Sequence, residues 1–497
     1  MQDGTLLAAI DLGSNSFRLE IGRLDHGYVQ RVEYIKETVR QGNGLDGERN
    51  LSEEAMQRGW DCLARFSERL GGFTPSQVRA VATQTLREAR NRDIFITKAN
   101  QLLGFPIDVI SGREEARLIY VGVAHLLPQS NERRLVIDIG GRSTELILGR
   151  GYSSQRTESY RLGSVAWSMK YFDSGKLTAS NFERAQIAAQ AILDEAVSGF
   201  NPQHWDIAYG SSGTVGAVAD ILAAKGYPAG VITREGLQWI YESLIRTGYI
   251  DKISMFGLKE DRRAVIGGGV AILRSLFNLL DLQQLVVAEG ALRQGLLFDL
   301  LDREDADTDV RSASINRLAT KFAVDTMHSN HVADTTAHFL KPLVLTHVQT
   351  YQERLLRKAR WAAQVHEIGA RIAHADYHKH GAYILDNTDA PGFAQPELHR
   401  LSLLVHGHRG KLKKLGEALD DKDFLNQLVA LRLAVILCHA RRAPDLRNVT
   451  LCASNDGYIL QISIMWQKAF PQSTHLLLEE CAAWARIGIN LAVSTKD

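Results

Sequence analysis

The chain has 497 residues, which is too long for one ordinary domain and predicts three or four. Its composition, with 45% hydrophobic and 23% charged residues, is that of a globular protein, and its net charge of +1 excludes polyanion binding through bulk charge. No apolar run approaches the roughly 20 residues of a membrane span, and the four cysteines have no paired spacing, which favours reduced thiols. We therefore expect a cytoplasmic protein that neither binds nucleic acid nor inserts stably into a membrane.

The first predicted element is a hairpin at residues 10–23, and it recurs without a gap at residues 137–150. Seven of the fourteen positions are identical, which indicates a duplicated unit. Each copy consists of an apolar strand, Asp-x-Gly, small polar residues and a second apolar strand. Glycines admit a ligand close to the backbone, turn N–H groups bind phosphate oxygens, and the aspartate (Asp11 or Asp138) can hold Mg²⁺. One such turn is usually only a tight hairpin, but two facing turns predict a phosphate clamp with a metal ion between them.

Two further candidate residues lie between the copies. A short strand runs into a polar turn and a helix that carries Arg87, which is either a phosphate contact or a surface arginine. The next strand leads into Ser111 and Glu114, whose spacing is that of a capping box at a helix start. The capping box accounts for Glu114 by a structural role, but it does not account for Glu115. An acid at a helix start usually only complements the helix dipole, so spacing alone favours a structural role for Glu115 over a catalytic one.

The second copy of the hairpin differs chemically from the first. Glu145 aligns with Arg18, and Arg142 aligns with Asn15. Further along, a predicted strand ends in the small residues 210–214, which precede a helix. A small-residue loop at a helix N-terminus is a standard anion site, although such turns also close ordinary βα units.

The pattern of residues changes after the acidic segment 302–309, which we interpret as a linker. Helical periodicity dominates beyond it, and eleven of the sixteen histidines fall between His328 and His408. From Arg311 onwards there are 23 basic and 17 acidic residues. The basic run between His406 and Lys414, which includes Lys411 and Lys413, is either a channel for a polyanion or a solvated face. The last stretch, 449–493, predicts strands around a hairpin turn and then a helix from about His475.

The chain has no P-loop and no dinucleotide-binding fingerprint. Its segments 11–17, 111–119, 138–146 and 210–214 resemble motifs of the exopolyphosphatase / guanosine pentaphosphate phosphatase family, a branch of the actin-like sugar kinase–Hsp70 superfamily. The resemblance continues at 366–369 and 378–385, so it covers essentially the whole chain, as in the long members of that family.

The resemblance implies an α/β fold of two duplicated actin-like, ribonuclease H-like domains, followed by an all-α HD-like module and a small α+β terminal segment. The implied domains are 1–125, 126–301, 310–445 and 446–497. The helical module departs from HD-type phosphohydrolases, because His366-Glu367 stands for His-Asp and Cys438-His439 stands where a final Asp is expected. These departures favour a module that binds the polyanion or a dimer partner over one with a second metal site.

The resemblance also implies roles for the site residues. Asp138 would hold Mg²⁺, with Asp11 close by; Mn²⁺ is an alternative and a monovalent cation an addition. Glu115 would be the general base that activates water, and Glu145 would position water or metal. The residues implied to bind phosphate are Ser14, Asn15, Ser16, Arg87, Gly140, Gly141, Arg142, Ser143 and Gly213. The family usually has glycine at the position of Arg142, so this arginine either adds a phosphate contact or narrows the loop.

These roles predict a metal-dependent exopolyphosphatase that releases terminal phosphates from inorganic polyphosphate. The alternative is hydrolysis of guanosine pentaphosphate (pppGpp) to the tetraphosphate by the same site. An alternative of another class is an actin-like ATP-binding switch without hydrolysis of free polyphosphate, which the acid pair Glu114-Glu115 argues against. A homodimer is expected from the family alone.

Overall fold

The computed structural model describes residues 1–26, 28–128, 130–304 and 309–496, and the chain forms two compact units, Met1–Asp309 and Val310–Asp497. Of the predicted linker 302–309, residues 305–308 lie outside the described residues, and residues 302–304 belong to a helix. The predicted division of each unit into two domains stays a prediction. No helix in the described ranges is long and apolar enough to cross a lipid bilayer.

The first unit contains two mixed sheets. The strands of the first sheet are β1 (Leu6–Leu12), β2 (Phe17–Asp25), β3 (Tyr28–Glu37), β4 (Val78–Ala82) and β5 (Ile107–Val109). The strands of the second are β6 (Arg133–Ile139), β7 (Thr144–Arg150), β8 (Ser153–Tyr160), β9 (Ile207–Ser211), β10 (Val231–Thr233) and β11 (Gln284–Val287).

The strand orders are β3-β2-β1-β4-β5 and β8-β7-β6-β9-β11-β10. In each sheet an antiparallel three-strand meander is extended by parallel strands on the side of its first strand, and the second sheet adds the antiparallel β10. The repeat seen in the sequence therefore corresponds to a duplicated α/β topology, which confirms the mixed α/β class.

The helices of the first unit pack on these sheets. They are α1 (Glu53–Arg69), α2 (Gln84–Glu88), α3 (Arg92–Leu103), α4 (Gly112–Leu126), α5 (Ser164–Tyr171), α6 (Ala179–Leu193), α7 (Ala196–Gly199), α8 (Ser212–Lys225), α9 (Arg234–Thr247), α10 (Glu260–Arg263), α11 (Ile266–Leu279) and α12 (Leu292–Glu304).

Local chemistry explains where helices α1 and α4 begin. The Ser52 hydroxyl accepts a hydrogen bond from the Ala55 N–H at 3.3 Å, and the Ser111 hydroxyl accepts one from the Glu114 N–H at 3.1 Å. The Glu114 carboxylate is buried and held by Arg117 through two contacts of 2.8 Å. Glu114 is thus structural, as predicted, and Glu115 is left for the opposite side of the helix start.

The second unit is mainly helical. Its helices are α13 (Val310–Lys321), α14 (Thr326–Leu343), α15 (Gln349–Gln364), α16 (Tyr377–Asp386), α17 (Gln395–Gly407), α18 (Lys422–Leu437), α19 (Ile464–Ala469) and α20 (Pro471–Ala485). A short 3-10 segment, Ile368–Arg371, separates α15 from α16. The strands β12 (Thr450–Ser454), β13 (Gly457–Ser463) and β14 (Asn490–Lys496) form a small sheet in this order.

One hydrophobic core joins the helices and the small sheet of the second unit. Leu428 and Val429 of α18 belong to the same buried cluster as Leu460 of β13 and Trp484 of α20. The predicted strands and hairpin turn are present, and the final helix begins at Pro471, earlier than predicted. The helical character agrees with the prediction, whereas the likeness to HD-type enzymes stays a prediction.

Candidate active site

The two repeated hairpins face each other across a cavity of about 420 Å³ in the first unit. Both turn loops line it, and a methyl group added at Gly141 would lie 3.3 Å from Cβ of Ser14. The absence of a side chain at Gly141 thus allows the two loops to approach closely. The predicted pairing of the two turns around one cavity is present in the structure.

The acid of the first hairpin is neutralised within the protein. Asp11 pairs in register with Arg18 across the hairpin, and an Asp11 carboxylate oxygen lies 3.0 Å from Nη1 of Arg18. Nη1 of Arg293, from the start of α12, lies 3.8 Å from the same oxygen. Arg293 is itself fixed at 3.1 Å from Glu20. Asp11 therefore has two cationic neighbours without any ligand.

The second hairpin places an acid opposite an acid. Asp138 pairs in register with Glu145, and both side chains are buried. Burial raises the pKa of Asp138 to about 6, against the effects of a hydrogen bond from Ser211 and of the Arg18 charge. Burial, with the charges of Glu115 and Asp138, raises the pKa of Glu145 well above its usual value. This hairpin lacks the internal cation that its counterpart has.

Glu115 adds a third buried carboxylate to this side of the cavity. It lies in the first turn of α4, and its Oε2 accepts a hydrogen bond from Nη1 of Arg87 at 3.0 Å. Arg87 is held in turn by its contacts with Gln84 and by a 2.8 Å bond to the Ile110 carbonyl. Burial raises the pKa of Glu115 to about 7 despite Arg87, and the charges of Asp11 and Asp138 act in the same direction.

The junction between β9 and α8 completes the floor of the cavity. Ser212 has φ 95°, a left-handed conformation that is rare for a residue with a side chain. Its hydroxyl accepts a hydrogen bond from the Thr214 N–H at 3.2 Å, and Gly213 has no side chain to block the space that Arg262 fills. Such a strained turn at a helix N-terminus, opening onto a polar cavity, is suited to binding an anion.

Sequence reasoning missed four basic residues that line the cavity. They are Lys36, Lys259, Arg262 and Arg293. Lys36 of β3 lies 2.9 Å from Asp261 of α10. Burial and the Arg18 charge lower the pKa of Arg262, against the opposing charge of Asp261, as expected where two cations lie close together. The only sequence indication was the charged run 259–263, which has no recognisable motif.

The structure brings most of the predicted site residues to this cavity. Those that line it are Asp11, Ser14, Asn15, Ser16, Glu115, Asp138, Gly140, Gly141, Ser143 and Gly213. Glu145 lies behind this lining, where it accepts a hydrogen bond from the Ser159 hydroxyl at 2.8 Å.

Two predicted phosphate ligands lie outside the lining. Arg87 contacts Glu115, so the geometry favours an indirect role. Arg142 is directed toward the first half of the unit, with its Nη2 3.0 Å from Glu88 and its Nη1 donating to the Gly42 carbonyl at 3.2 Å. The expectation that Arg142 contacts phosphate does not fit this arrangement, because its guanidinium is already bound by an acid and a carbonyl.

The donor set of the cavity fits a hard divalent cation. Asp11, Asp138 and Glu115 line the cavity and Glu145 lies just behind it, so the groups offered are carboxylate oxygens, the ligands that Mg²⁺ and Mn²⁺ prefer. Burial is the largest cause of the raised pKa values of Asp138 and Glu115, and neighbouring acid charges act in the same direction. A bound cation would supply the missing positive charge.

The second unit brings together part of the predicted HD-like motif. His366 and Glu367 lie beside His328, and one potential ligand atom from each residue falls within 4.8 Å of the others. Cys438 is elsewhere, with its sulfur 3.5 Å from the Thr335 hydroxyl, so it does not replace the missing acid. Burial lowers the pKa of His366 to about 4. The prediction that a second metal site in this module is doubtful stays a prediction.

The basic run of the second unit is only partly exposed. Lys411 and Lys413 are exposed, whereas Lys414 is half-buried and donates to the Arg409 carbonyl at 2.8 Å. Burial, together with Arg432 and Lys379, lowers the pKa of Lys414 to about 8. The proposed polyanion channel along this run stays a prediction.

Comparison with known proteins places this site in a family. Residues 21–304 match the model of the Ppx/GppA phosphatase family, and residues 310–482 match that of Ppx/GppA phosphatase, domain III. A guanosine-5'-triphosphate,3'-diphosphate pyrophosphatase of Vibrio atlanticus is 40% identical over 465 residues, which are 93% of this chain and 92% of the relative. A protein of the same name from Pseudoalteromonas translucida is 38% identical over 98% of both chains.

Solved structures share the fold of about 60% of the chain. An exopolyphosphatase from Cytophaga hutchinsonii, 22% identical, matches 60% of this chain and 98% of its own with a TM-score of 0.55. The Aquifex aeolicus PPX-GPPA enzyme, 23% identical, matches 59% and 99% with a TM-score of 0.51. With the two family models covering most of its length, the chain belongs to the Ppx/GppA phosphatase family and is a hydrolase of phosphoanhydrides.

Proposed function

We propose that this protein hydrolyses the terminal 5'-phosphoanhydride of guanosine pentaphosphate, yielding guanosine tetraphosphate and orthophosphate. The observation that carries this choice is the full-length similarity, at about 40% identity, to relatives named as pyrophosphatases of that nucleotide. The exopolyphosphatase structures are less than 25% identical and cover only about 60% of the chain, so they support the fold and not the substrate. The proposed substrate is therefore guanosine pentaphosphate, which was the alternative in the sequence analysis, and not polyphosphate, which was the main prediction.

The cavity suits a substrate with several phosphate groups. Residues of the turns 13–16 and 140–143 and of the N-terminus of α8 line it, and turns and helix N-termini of this kind bind phosphate oxygens through backbone N–H groups. Lys259 and Arg262 line the same cavity, and within the described ranges neither is within ion-pair distance of a carboxylate. Guanosine pentaphosphate carries phosphate groups on both the 5' and 3' sides. The two cations would match the charge of a phosphate group beyond the one that reacts.

The proposed chemistry is an in-line displacement by water. The water oxygen attacks the terminal phosphorus, the bond from that phosphorus to the bridging oxygen breaks, and Glu115 takes the proton that the water loses. A pKa raised to about 7 suits a base that works near neutral pH. Arg87 holds one carboxylate oxygen at 3.0 Å, which would restrain Glu115 in one orientation.

Asp138 would hold the divalent cation, with Asp11 and Glu145 close to it. When bound, the cation would neutralise charge on the phosphate oxygens. The hydroxyl of Ser159 keeps the Glu145 carboxylate oriented at 2.8 Å. Mg²⁺ is the proposed ion, with Mn²⁺ as a chemically equivalent alternative.

Polyphosphate is the second candidate substrate. The observation in its favour is that burial, with the nearby charges of Arg432, Lys379 and Arg409 in the second unit, lowers the pKa of Lys414. A polyanion would relieve this repulsion, and its affinity should fall with salt. Neutralising Lys411, Lys413 and Lys414 together tests this candidate; unchanged apparent affinity for long chains would exclude the channel.

The deciding experiment measures orthophosphate release with Mg²⁺ from purified guanosine pentaphosphate, long-chain polyphosphate and ATP. We expect the highest kcat/KM with the pentaphosphate, and guanosine tetraphosphate as the nucleotide product. A higher kcat/KM with polyphosphate would overturn the choice of substrate. Activity with ATP alone that survives Glu115→Gln would favour an ATP-driven switch.

A further inference from the structure

The second unit contains a cluster of metal-ligating side chains that the phosphatase reaction does not use. His328 lies in the first turn of α14, and His366 and Glu367 immediately precede the 3-10 segment. His328 and His366 are only 6% and 1% exposed. Their ring centroids are 5.6 Å apart, and Nε2 of His328 lies 4.0 Å from a Glu367 carboxylate oxygen.

Each of the two imidazoles can offer a nitrogen lone pair to a ligand. Nδ1 of His366 lies 2.7 Å from the Ala363 carbonyl and must carry the proton, so the lone pair is on Nε2. A ring N–H donated to a backbone carbonyl is the usual support of a metal-bound histidine. Nδ1 of His328 is buried and has no hydrogen-bond partner among the described residues. An unpartnered buried polar atom of this kind needs an explanation.

Glu367 is already oriented toward the cluster. Nη2 of Arg441 donates to its two carboxylate oxygens at 2.9 and 3.1 Å, and Nη1 donates to Asp325 at 3.2 Å. The Arg441 side chain is 52% exposed, whereas that of Glu367 is 17% exposed. Arg441 therefore supplies a positive charge from the solvent side. A carboxylate oxygen retains a further lone pair after accepting one hydrogen bond, so Glu367 can bind a cation on its inner side.

We propose that His328, His366 and Glu367 form a binding site for one first-row transition-metal ion of the Zn²⁺ type. Two imidazoles and a carboxylate are ligands that Zn²⁺ prefers, whereas Mg²⁺ prefers oxygen alone. The ligand atoms now lie within 4.8 Å of one another. Side-chain movements on the order of 1 Å would bring them to the spacing that bonds of about 2 Å require.

A metal at this site would join the start of α14 to the segment before α16. These parts are 38 positions apart in the sequence, and within the cluster the 4.0 Å approach of His328 to Glu367 is longer than a hydrogen bond. The ion would therefore stabilise the second unit. This inference is independent of the substrate proposed for the first unit.

The test titrates the full-length chain with Zn²⁺ by competition with a chromophoric chelator, and with Co²⁺ by visible absorption. Asp138→Asn is used as the background, so that the cavity of the first unit does not contribute. We expect one tight Zn²⁺ per chain. His366→Gln and Glu367→Gln should each weaken binding by about 100-fold or more, because each removes a ligand.

His399→Gln is the matched control, since this histidine is exposed and pairs with Asp386 at 2.9 Å. It should leave Zn²⁺ affinity within about twofold of the background, as for a surface site remote from the cluster. Arg441→Met removes the neighbouring positive charge and should tighten binding by about tenfold. Equal affinity in the background, His366→Gln and Arg441→Met proteins would overturn the proposal. If His366→Gln does not fold, an unchanged affinity in Arg441→Met alone would overturn it.

Discussion

The two hairpins of the first unit share a sequence pattern and a strand register, but they differ in the charge of the residue that faces the aspartate across the hairpin. In the first hairpin Asp11 faces Arg18 at 3.0 Å. In the second, Asp138 faces Glu145, and burial raises the pKa of both. In the first hairpin the charge of Asp11 is thus balanced by an arginine of the same hairpin. In the second hairpin the charges of Asp138 and Glu145 would be balanced only by an added cation. This difference supports the proposal that the first half of the clamp binds phosphate and the second half binds the metal ion.

The largest loss of activity is expected when Glu115, the proposed general base, is neutralised. Glu115→Gln keeps the size of the side chain and a contact to Arg87 but cannot accept a proton. We expect kcat for phosphate release to fall by about 10³-fold, with KM changed less than about threefold. Steady-state kinetics would measure both. Glu158→Gln, which alters a partly exposed acid paired with Arg113, is the control and should keep kcat.

Wild-type turnover in Glu115→Gln would remove this residue from the mechanism. A large rise in KM at unchanged kcat would also contradict the proposal, because it would make Glu115 a binding residue only.

The hairpins should respond in opposite ways when one charge is removed from each. Glu145→Gln should raise the Mg²⁺ concentration needed for half-maximal activity by about 10- to 100-fold, because it alters the surroundings of the cation. It should also stabilise the metal-free protein, since a buried carboxylate without a counter-charge is costly. Arg18→Gln should destabilise the metal-free protein by on the order of 2 kcal/mol, because it leaves Asp11 without its 3.0 Å partner. Denaturant unfolding in EDTA measures both effects, and shifts of the same sign would contradict the comparison.

The stability of the metal-free protein should depend on pH through the acid side of the clamp. The pKa values of Asp138 and Glu115 are raised from 3.8 and 4.5 to about 6 and about 7. The folded state therefore binds more protons than the unfolded state between about pH 4 and 7, and stability should fall as pH rises through this window.

Saturating Mg²⁺ should reduce that slope, because a bound cation favours the charged carboxylates. Thermal unfolding at several pH values, with EDTA or with Mg²⁺, would measure the effect. The Asp138→Asn/Glu115→Gln double variant is the control and should show a smaller slope in EDTA. An identical slope in all samples would show that these carboxyl groups are not under-compensated.

Substitution of Arg142 should have the smallest effect on activity and stability, although the family usually has glycine at this position of the second loop. Its guanidinium binds Glu88 and the Gly42 carbonyl and does not line the cavity. Arg142→Gly should change kcat by less than about tenfold and lower stability by about 1 kcal/mol, the value of a partly exposed ion pair. A double-mutant cycle with Glu88→Gln would measure the coupling. A KM increase of 100-fold would instead restore the phosphate-contact interpretation.

The sequence was sufficient where local patterns determine the structure. The hairpins, the cap at Ser111 and the glycine turns depend on neighbours a few positions away. It was insufficient where the chemistry depends on distant segments. Arg87 meets Glu115 across 28 positions, and Arg293 reaches Glu20 across 273. No periodicity or spacing encodes such contacts, because they arise from the packing of separate elements.

In the C-terminal unit the sequence argued against a feature that the tertiary structure supports. The substitution of Glu367 for an expected Asp argued against a metal site there. The structure nevertheless places His328, which the sequence reasoning had not singled out, within 4.8 Å of His366 and Glu367. Local patterns predicted these segments, but no local pattern encodes the approach of the start of α14 to His366 and Glu367.

The central claim is that the hairpin with Asp138 holds the metal and the hairpin with Asp11 does not hold it alone. The most direct measurement is Mn²⁺ binding by water proton relaxation, in a His366→Gln background that silences the cluster of the second unit. Asp138→Asn should abolish tight binding, whereas Asp11→Asn should weaken it by only about tenfold, because Asp11 is already paired with Arg18 at 3.0 Å. If Asp11→Asn lost as much affinity as Asp138→Asn, or more, the assignment of the two halves would be wrong.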